Sequence, residues 1–398
     1  MAKDTKTTID IAKTSQLQLG YLSEFLQECY EAKRKASMIW GPPGTAKSAH
    51  AQQFAAKLGL PYIDIRLAHF DPVDFKGIPH IETVRIDNKM MVPPEYVVET
   101  RDEKGNIVRN MKVTRFAPPE LLPMTPAIIC LEELPNALPS IQIIASRLLL
   151  DRSMDGGWKA HPDTMFIATG NRRGDRSGAN ALLMNLDNRV THVEVLPDLE
   201  YWLDWLIANY SRNDHSKKAI SQLVTFMKFA PQLSYSFDPN AGFTDAHAWP
   251  SYRTWHMVAD FLESCYARGK DPAGIIGRAC VAGSVGIGAA EQFFSFLEIQ
   301  EQLPNVDELL NGKDKKSIEI PEKLDILYAL LGAISYKTTP KNQNRVWDIV
   351  EQLEKKEKGE WSILLVRLAT KFCEQFADND RLRPFVMRHR YVLGLTLK

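Results

Sequence analysis

The sequence predicts an α/β protein in which helices cover both faces of a mostly parallel sheet and a helical region follows. Short apolar runs alternate with helical patterns through the first half of the chain. A glycine-containing octapeptide joins one of these runs to a helix, and strand patterns fade after Asp198. Ligands bind such sheets at the carboxyl ends of the strands, so the loops that follow strands are the candidate sites.

Helices and strands of the first half are predicted from periodicity. Apolar residues at helical spacing predict a helix within Gln16–Lys33. The other predicted helices are Lys47–Leu58 and Ile141–Leu149, and the predicted strands are Ser37–Trp40, Pro61–Leu67, Ala127–Leu131, Met165–Thr169 and Val190–Val195. Strands that alternate with helices predict a parallel sheet.

The second half of the chain has helical patterns at Tyr201–Asn209, Ser221–Phe229, Tyr252–Ala267 and Ile275–Leu297. A polar stretch then precedes a last helical region that is rich in charged residues. We therefore expect an N-terminal lead at 1–15, an α/β domain at 16–197, a helical domain at 198–303, a linker at 304–321 and a helical C-terminal region at 322–398.

Composition restricts the partners and the compartment. The 398 residues include 49 basic and 49 acidic side chains, so no global charge draws the chain to nucleic acid or to anionic lipid. The five cysteines fit neither a disulfide framework nor a paired-cysteine zinc site. Because the sequence shows neither a signal peptide nor a run of 18 apolar residues, we expect a cytoplasmic protein without a membrane segment.

The octapeptide between the predicted strand at Ser37 and the helix at Lys47 resembles a phosphate-binding loop. It consists of Gly41, Pro42, Pro43, Gly44, Thr45, Ala46, Lys47 and Ser48, close to the pattern G-x-x-x-x-G-K-[ST]. Its backbone N–H groups and the helix dipole would hold phosphate oxygens of ATP. Lys47 would reach the β- and γ-phosphates, and the Ser48 hydroxyl would bind Mg²⁺. Ala46 stands where the pattern has glycine, so its backbone angles must be accessible to a residue with a Cβ.

Two acids follow the apolar run Ala127–Leu131, at the edge of the sheet where the phosphate loop is expected. Glu132 would hold the water shell of the metal, and Glu133 would orient and deprotonate the attacking water. The alternative is a strand that ends in solvated acids.

Three further residues are candidates for contacts with the γ-phosphate or with the attacking water. Asn171 follows the run that ends Thr169-Gly170, although Gly-Asn is also an ordinary turn. Arg189 precedes the strand Val190–Val195, and Arg253 begins a helical pattern. Most arginines are solvated surface residues, so these two carry weak signals by themselves.

A β-hairpin is predicted within an insertion at about 80–116. Its strands are Tyr96–Thr100 and Ile107–Arg115, and the turn signal Arg101–Asn106 connects them.

Together GPPGTAKS, IICLEE, FIATGN, NLDNRV and PSYRTW occur in the order found in AAA+ ATPases, and the chain resembles their MoxR-like branch. The segments Arg66–Pro79 and Ala117–Pro123 resemble MoxR-like ATPases that act with von Willebrand factor A-type partners. The resemblance implies a P-loop AAA+ three-layer sheet with an inserted β-hairpin, a helical lid and a further helical C-terminal region. It covers about two thirds of the chain.

The resemblance also implies a role for each candidate residue. Lys47 and Ser48 correspond to Walker A, Glu132 and Glu133 to Walker B, and Asn171 to sensor 1. Arg253 corresponds to sensor 2, which acts in cis from the lid, and Arg189 to the arginine finger, which reaches a neighbouring subunit. Glu132 departs from the usual aspartate, and its extra methylene would move the carboxylate about one bond length toward the metal.

The function expected from the resemblance is that of an ATP- and Mg²⁺-dependent motor that assembles into a homo-oligomeric ring, most simply a hexamer, and remodels a protein partner. In MoxR-like proteins the hairpin can face the pore or the substrate, and the alternative is a rigid surface decoration. Two other functions stay open. They are a nucleic-acid remodeller, which the balanced charge disfavours, and a nucleotide-gated scaffold with little turnover, which the departure at Glu132 suggests.

Overall fold

The computed structural model describes residues 16–33, 36–76, 78–86, 92–117, 121–154, 158–172, 175, 182–183, 186, 188–238, 248–301, 303, 305–311, 320–356 and 358–393. The chain forms two compact units, Met1–Leu196 and Pro197–Lys398. The expected lead at 1–15 and residues 312–319 of the expected linker lie outside the described residues.

The first unit combines a parallel sheet with a smaller antiparallel one. Its strands are β1 (Gln16–Gln18), β2 (Ala36–Trp40), β3 (Tyr62–Arg66), β4 (Ile78–Arg85), β5 (Val97–Arg101), β6 (Ile107–Ala117), β7 (Ile128–Glu132), β8 (Met165–Gly170) and β9 (Thr191–Leu196). Its helices are α1 (Leu22–Glu31), α2 (Lys47–Leu58), α3 (Pro72–Lys76) and α4 (Pro139–Leu150). The six-stranded sheet has the order β1-β9-β2-β8-β7-β3, and its neighbouring strands are parallel.

Helices lie on both faces of the parallel sheet, as predicted. On one face Ile141, Ala145 and Leu148 of α4 share a buried cluster with Ile129 and Leu131 of β7. Because side chains alternate along a strand, Ile128 and Cys130 point to the other face. There α2 packs against β3, β7 and β8. Strands buried on both faces explain why these segments of the sequence are continuous apolar runs.

The beginning of the described chain differs from the prediction. Gln16–Gln18 form strand β1 on the edge of the sheet, paired in parallel with Glu194–Leu196, and the helix begins only at Leu22. The helical prediction for Gln16–Lys33 was therefore wrong at its first residues. Only β9 provides the backbone partners that make this segment a strand, and a periodicity over so few residues cannot reveal such a partner.

The insertion contains the predicted hairpin and one strand that was not predicted. Strands β5 and β6 pair antiparallel from Val97–Met111 to Arg101–Ile107, around a turn in which Gly105 has φ 81°. Strand β4 pairs with the other edge of β6, from Ile78–Ala117 to Arg85–Asn110, so the sheet order is β4-β6-β5. Most described side chains of β4 and β5 are exposed. Residues 87–91 of the expected insertion lie outside the described part.

The second unit consists of helices in the part that the structure describes. They are α5 (Leu199–Tyr210), α6 (Asp214–Phe229), α7 (Tyr252–Ala267), α8 (Ile275–Val285), α9 (Ile287–Glu301), α10 (Val306–Asn311), α11 (Leu324–Tyr336), α12 (Gln343–Lys355), α13 (Gly359–Phe372) and α14 (Leu382–Leu393). Of the described helices, none is both long and apolar enough to cross a bilayer.

The predicted helical stretch Ile275–Leu297 is two helices, α8 and α9. They meet at Gly286, whose φ of 86° lies outside the helical range. A Cβ there would approach the carbonyl oxygen of Ala248 to 2.8 Å, so the break needs glycine for its conformation and for its space.

The last helices pack against the helices that follow the first unit. Ala329 of α11 and Leu368 and Phe372 of α13 belong to the same buried cluster as α5 to α9. Ser221 in α6 donates a hydrogen bond to the carbonyl oxygen of Gly332 in α11 at 3.0 Å. The expected bounds of the helical regions, 198–303 and 322–398, remain a prediction.

Candidate functional site

The octapeptide forms the loop between strand β2 and helix α2. Gly44 and Ala46 both have a left-handed backbone, with φ of 77° and 63°, and α2 begins at the next residue, Lys47. The Thr45 hydroxyl donates to the carbonyl oxygen of Pro42 at 2.9 Å and fixes the turn. A Cβ on Gly41 would approach the carbonyl oxygen of Val195 to 2.8 Å. The loop thus places a helix N-terminus at the carboxyl end of β2, where backbone N–H groups can donate hydrogen bonds to an anion.

The ammonium group of Lys47 lies inside this loop. It donates to the carbonyl oxygens of Gly41 at 2.8 Å and Pro42 at 2.9 Å, and to Oδ1 of Asn171 at 3.0 Å. These contacts hold a positive charge at the mouth of the loop. They also bring together two candidate residues that are 124 positions apart in the sequence.

Asn171 is placed by the close approach of β8 to its neighbours. The backbone N–H of Gly41 donates to the carbonyl oxygen of Gly170 at 3.3 Å, and Trp40 of β2 is in register with Gly170 of β8. A Cβ on Gly170 would lie 2.6 Å from Cγ of Pro135 and 2.7 Å from Cε of Met38. Packing therefore requires the glycine before Asn171, and Gly170 is the last residue of β8 rather than part of the ordinary turn that was the alternative from the sequence.

The two acids lie at the same edge of the sheet, because β7 is the neighbour of β8. Glu132 is the last residue of β7, its side chain is 12% exposed, and its Oε2 lies 3.5 Å from Nε of Arg66. Glu133 is exposed and has a left-handed backbone with φ 56°. Such a conformation costs a non-glycine residue about 1–2 kcal/mol, and strained backbone of this kind is concentrated at functional sites.

A polar pair, half-buried Tyr62 and buried Cys130, lies behind the acids, on the face of the sheet that α2 covers. The Tyr62 hydroxyl donates to the carbonyl oxygen of Ser48 at 3.5 Å and ties β3 to the first turn of α2. Burial raises the pKa of Tyr62 well above its ordinary value, and burial also raises the pKa of the Cys130 thiol to about 12. Both groups are therefore neutral at physiological pH and leave the negative charge of this edge to the carboxylates.

An ion-pair network follows Asn171 directly. Arg172 binds the buried carboxylate of Asp175 at 3.1 Å and Oε1 of Glu194 at 2.5 Å, and Gln16 donates to the other oxygen of Glu194 at 2.9 Å. Burial opposes the charge of Arg172, but the hydrogen bonds to both acids outweigh it and raise the pKa of Arg172. The network ties the end of β8 to β9 and thereby restrains the backbone that carries Asn171.

Arg189 lies at the opposite edge of the sheet. It is exposed and precedes β9, whose carboxyl end is beside the phosphate loop. It lines a cleft of about 530 Å³ together with Lys33, Arg152 and Asp163. A six-residue strand spans roughly 17 Å, so Arg189 is far from Lys47 of the same chain.

Arg253 belongs to the second unit. It is the exposed second residue of α7, after Ser251, which caps the helix by accepting from the backbone N–H of Thr254 at 3.2 Å. Arg253 is therefore held at a helix N-terminus with its side chain exposed to solvent.

Oxygen donors suited to Mg²⁺ are present at the phosphate edge. Ser48 stands in the first turn of α2, and the Glu132 carboxylate lies at the end of β7. No group of three acidic, histidine or cysteine side chains that could cage a metal occurs among the described residues. Mg²⁺ is commonly held by one or two protein ligands together with substrate phosphates, so this donor set fits it.

Comparison with known proteins finds one family model that matches part of the first unit. Residues 36–190 match the model of the AAA domain of the dynein-related subfamily. The α/β unit has the P-loop AAA+ fold. The matched stretch contains the phosphate loop, both acids, Asn171 and Arg189, and it supports an AAA+ ATPase with ATP-dependent activity in general.

Solved structures similar to the chain include a candidate ATPase from Cytophaga hutchinsonii, at 14% identity and a TM-score of 0.32, covering 49% of this chain and 53% of that one. NtrX from Brucella abortus is 14% identical with a TM-score of 0.35, covering 75% of this chain and 63% of that one. NtrX in complex with ADP is 14% identical with a TM-score of 0.28, covering 94% and 68%. The chain thus spans between half and two thirds of the length of the first two of these structures. No curated protein matches the chain.

Several residues at this edge were not identified from the sequence. Arg66, Arg172 and Glu194 contact or restrain the candidate residues. Arg66 begins the segment Arg66–Pro79 that carries the resemblance, but the sequence assigned it no role in the site, and Arg172 and Glu194 have no recognisable pattern. Only their positions in the chain could have indicated a place in the site, since Arg66 ends a strand and Arg172 follows Asn171. Only the pairing of β3 with β7 and of β2 with β9 shows which acids they meet.

Proposed function

We propose that this AAA+ domain binds ATP with Mg²⁺ at the carboxyl edge of the sheet and hydrolyses it at a contact between two copies of the chain. Lys47 and the loop N–H groups hold the phosphates, and Ser48 and Glu132 hold the metal. Glu133 orients and deprotonates the attacking water, and Asn171 fixes that water or the γ-phosphate.

The observation that carries the proposal is the hydrogen bond of 3.0 Å between Lys47 and Asn171. An ordinary surface lysine extends its ammonium group into water, whereas Lys47 donates to two backbone carbonyl oxygens and to the side-chain oxygen of Asn171. Here the ammonium group is held at the loop that would bind the phosphates, and its hydrogen bond brings Asn171 to the same place, which supports a role for Asn171 near the γ-phosphate or the attacking water. Preorganised charges of this kind stabilise the charge that develops in phosphoryl transfer.

The position of Arg189 supports a site shared between subunits. Because β9 runs parallel to β2, Arg189 precedes the strand at the edge opposite the phosphate loop, and we expect it to lie too far from Lys47 to contact a nucleotide in its own chain. Presented at the opposite edge, it would act on the nucleotide of a neighbour, and head-to-tail contacts of this kind close into rings. We therefore propose a homo-oligomeric ring, a hexamer by resemblance to MoxR-like proteins, with Arg253 acting from the helical lid on the nucleotide of its own chain.

The ring would act on another protein. Among the described residues no further strand pairs with the outer edges of β4 and β5, and an extended segment can add to such an edge. Most described side chains of these two strands are exposed. We propose that the inserted sheet of β4, β5 and β6 engages the partner, a von Willebrand factor A-type protein by resemblance, in the cytoplasm, and that the protein has no membrane partner; the balanced charge disfavours nucleic acid as the partner.

The shared site is tested by the dependence of ATPase rate on protein concentration. An arginine supplied in trans is worth about 10³ to 10⁵ in rate, so turnover per subunit should rise steeply as the chain assembles. A rate per subunit that stays constant through the assembly transition, measured by sedimentation, contradicts the proposal.

A mixing experiment identifies the residues on each side. Arg189→Ala and Glu133→Gln subunits are each expected to be inactive, but a mixture contains interfaces that pair an intact Arg189 with an intact Glu133. The mixture should recover part of the wild-type rate. As a control, Glu133→Gln mixed with an Arg189→Ala/Lys47→Ala double variant should recover none, because no intact site remains.

One observation favours a second function, that of a nucleotide-gated scaffold with little turnover. Glu132 replaces the usual aspartate, and its carboxylate is paired with Arg66. Tight binding of Mg·ATP without phosphate release, in the presence of the partner, would select this function.

A further inference from the structure

A guanidinium group lies between two carboxylates beside the proposed metal site. Nε of Arg66 is 3.5 Å from Oε2 of Glu132 and 3.5 Å from Oδ2 of Asp64. Arg66 and Glu132 are register partners on β3 and β7, and Asp64 precedes Arg66 by two residues on the same face of β3. The three side chains therefore form one acid–base–acid cluster at the carboxyl edge of the sheet.

The members of this cluster differ in exposure. The Glu132 side chain is 12% exposed, whereas Asp64 is 35% and Arg66 is 62% exposed. A carboxylate as buried as Glu132 needs a cation beside it, because removing the partner of a buried charge is costly. Arg66, in contrast, can move its guanidinium into water on its flexible stem at little cost. The Glu132 carboxylate is thus held in position, while its counter-ion, the Arg66 guanidinium, can be exchanged for another cation.

Mg²⁺ at the phosphate loop would require the same carboxylate. Two cations cannot both neutralise one carboxylate oxygen without repelling each other. We propose that Arg66 is an exchangeable counter-ion that competes with Mg²⁺ for Glu132 and so sets the Mg²⁺ concentration at which the nucleotide site loads. This inference rests on the proposed role of Glu132 as a metal ligand. Asp64 receives the displaced guanidinium, which keeps Arg66 near the site.

The test measures Mg²⁺ dependence of nucleotide binding rather than catalysis. ADP is titrated calorimetrically into the full chain at a series of free Mg²⁺ concentrations, and its affinity is measured at each one. The readout is the half-effective Mg²⁺ concentration, at which half of the Mg²⁺-dependent change in ADP affinity has occurred. Arg66→Gln removes the competitor and should lower that concentration by about two- to five-fold, the range of an exposed ion pair. Arg66→Lys keeps the charge and should remain within about two-fold of the wild type.

A matched control uses the helices of the second unit. Arg278 of α8 is an exposed arginine paired with Glu298 of α9 at 2.7 Å, and Arg278→Gln should leave the Mg²⁺ dependence unchanged. Asp64→Asn should raise the half-effective Mg²⁺ concentration, because Arg66 then has Glu132 as its remaining carboxylate in the cluster. If Asp64 acts through Arg66, its substitution should have a much smaller effect in the Arg66→Gln background.

The outcomes separate this inference from the proposed function. If the Arg66→Gln chain binds ADP but needs as much Mg²⁺ as the wild type, or more, the competition is overturned and the ATP site stands. If the wild-type chain takes up no ADP at any Mg²⁺ concentration, the proposed function and the competition both fall.

Discussion

Ala46 shows how a single side chain is tolerated where the loop geometry favours glycine. Its φ of 63° and ψ of 28° are in the left-handed region, which an alanine can occupy only at a cost of about 1–2 kcal/mol. The conformation lets the loop turn into α2 at Lys47. From the sequence we expected backbone angles at position 46 that a residue with a Cβ can adopt. The left-handed conformation is one that alanine can adopt, but with strain.

Replacing Ala46 by glycine should therefore stabilise the protein. Relief of the left-handed strain outweighs the extra entropy of glycine in the unfolded chain, about 0.4–1 kcal/mol, so a net gain of up to about 1 kcal/mol is expected. Urea unfolding measures it. Ala49→Gly is the matched control, since Ala49 is exposed in helix α2. There glycine should lower the free energy of unfolding by about 1 kcal/mol through its poorer helix propensity. A loss of stability in Ala46→Gly would show that the strain is not there.

The cysteines offer a second prediction at this scale. Cys29, Cys130, Cys265 and Cys373 are buried, whereas Cys280 on α8 is exposed. Burial raises the pKa of Cys130 to about 12, so its reactive thiolate is almost absent at pH 8. An aromatic disulfide reagent should modify one thiol quickly in the native chain and five after denaturation. Cys280→Ser should abolish the fast phase, and a fast phase that persists would contradict the burial of the others.

At the scale of elements, the contact between α6 and α11 depends on a missing side chain. A Cβ on Gly332 would lie 2.2 Å from Oγ1 and 2.6 Å from Cγ2 of Thr225, both in a buried interface. The backbones of the two helices approach closely there, and the Ser221 hydroxyl bonds the carbonyl oxygen of Gly332.

Gly332→Ala should consequently destabilise the chain although alanine is the better helix former. Overpacking costs about 1–3 kcal/mol, against a gain of about 1 kcal/mol in helix propensity. Gly283→Ala on α8 is the control, because nothing lies within 4 Å of the added Cβ, and it should be stabilising. Thr225→Ala should restore part of the loss in the Gly332→Ala background. If thermal unfolding shows that both glycine variants are more stable than the wild type, then Gly332 is not packed closely against Thr225.

The elements also show what the sequence can and cannot predict. Lys47–Leu58 and Tyr252–Ala267 were predicted with the bounds that the structure has, because periodicity and the residues that flank them agree locally. Strands β1 and β4 were missed because a strand on an edge, or one exposed on both faces, lacks the apolar run that marks a buried strand. Gly286 separates α8 from α9 with a φ of 86°, and a side chain there would meet the carbonyl oxygen of Ala248, which is distant in sequence.

The candidate site divides in the same way. The phosphate loop and the acids were predicted because a local pattern specifies each of them. The contacts of Arg66 and Arg172 depend on which strands are neighbours, so they emerge only from the order of the sheet. The roles of Glu133, Asn171, Arg189 and Arg253 remain predictions that the variants above test.

For the whole molecule, the division into two compact units with separate buried clusters has a thermodynamic consequence. Chains built from more than one unit commonly depart from two-state unfolding. Trp40 and Trp158 belong to the first unit, and the other six tryptophans to the second, so fluorescence mainly reports the second. Far-ultraviolet circular dichroism reports both.

We expect the two probes to give different urea midpoints, and Mg·ADP to move them unequally. The phosphate loop is in the first unit, so ligand at 100 times its Kd should stabilise that unit by about 2.7 kcal/mol. Lys47→Ala should eliminate the shift while it leaves the transitions without nucleotide nearly unchanged.

A proposed contact of Arg253 with the γ-phosphate adds a distinct signature. A non-hydrolysable ATP analogue should then also stabilise the second unit, and Arg253→Ala should remove only that second effect. If the analogue and ADP shift both transitions alike, Arg253 does not sense the γ-phosphate.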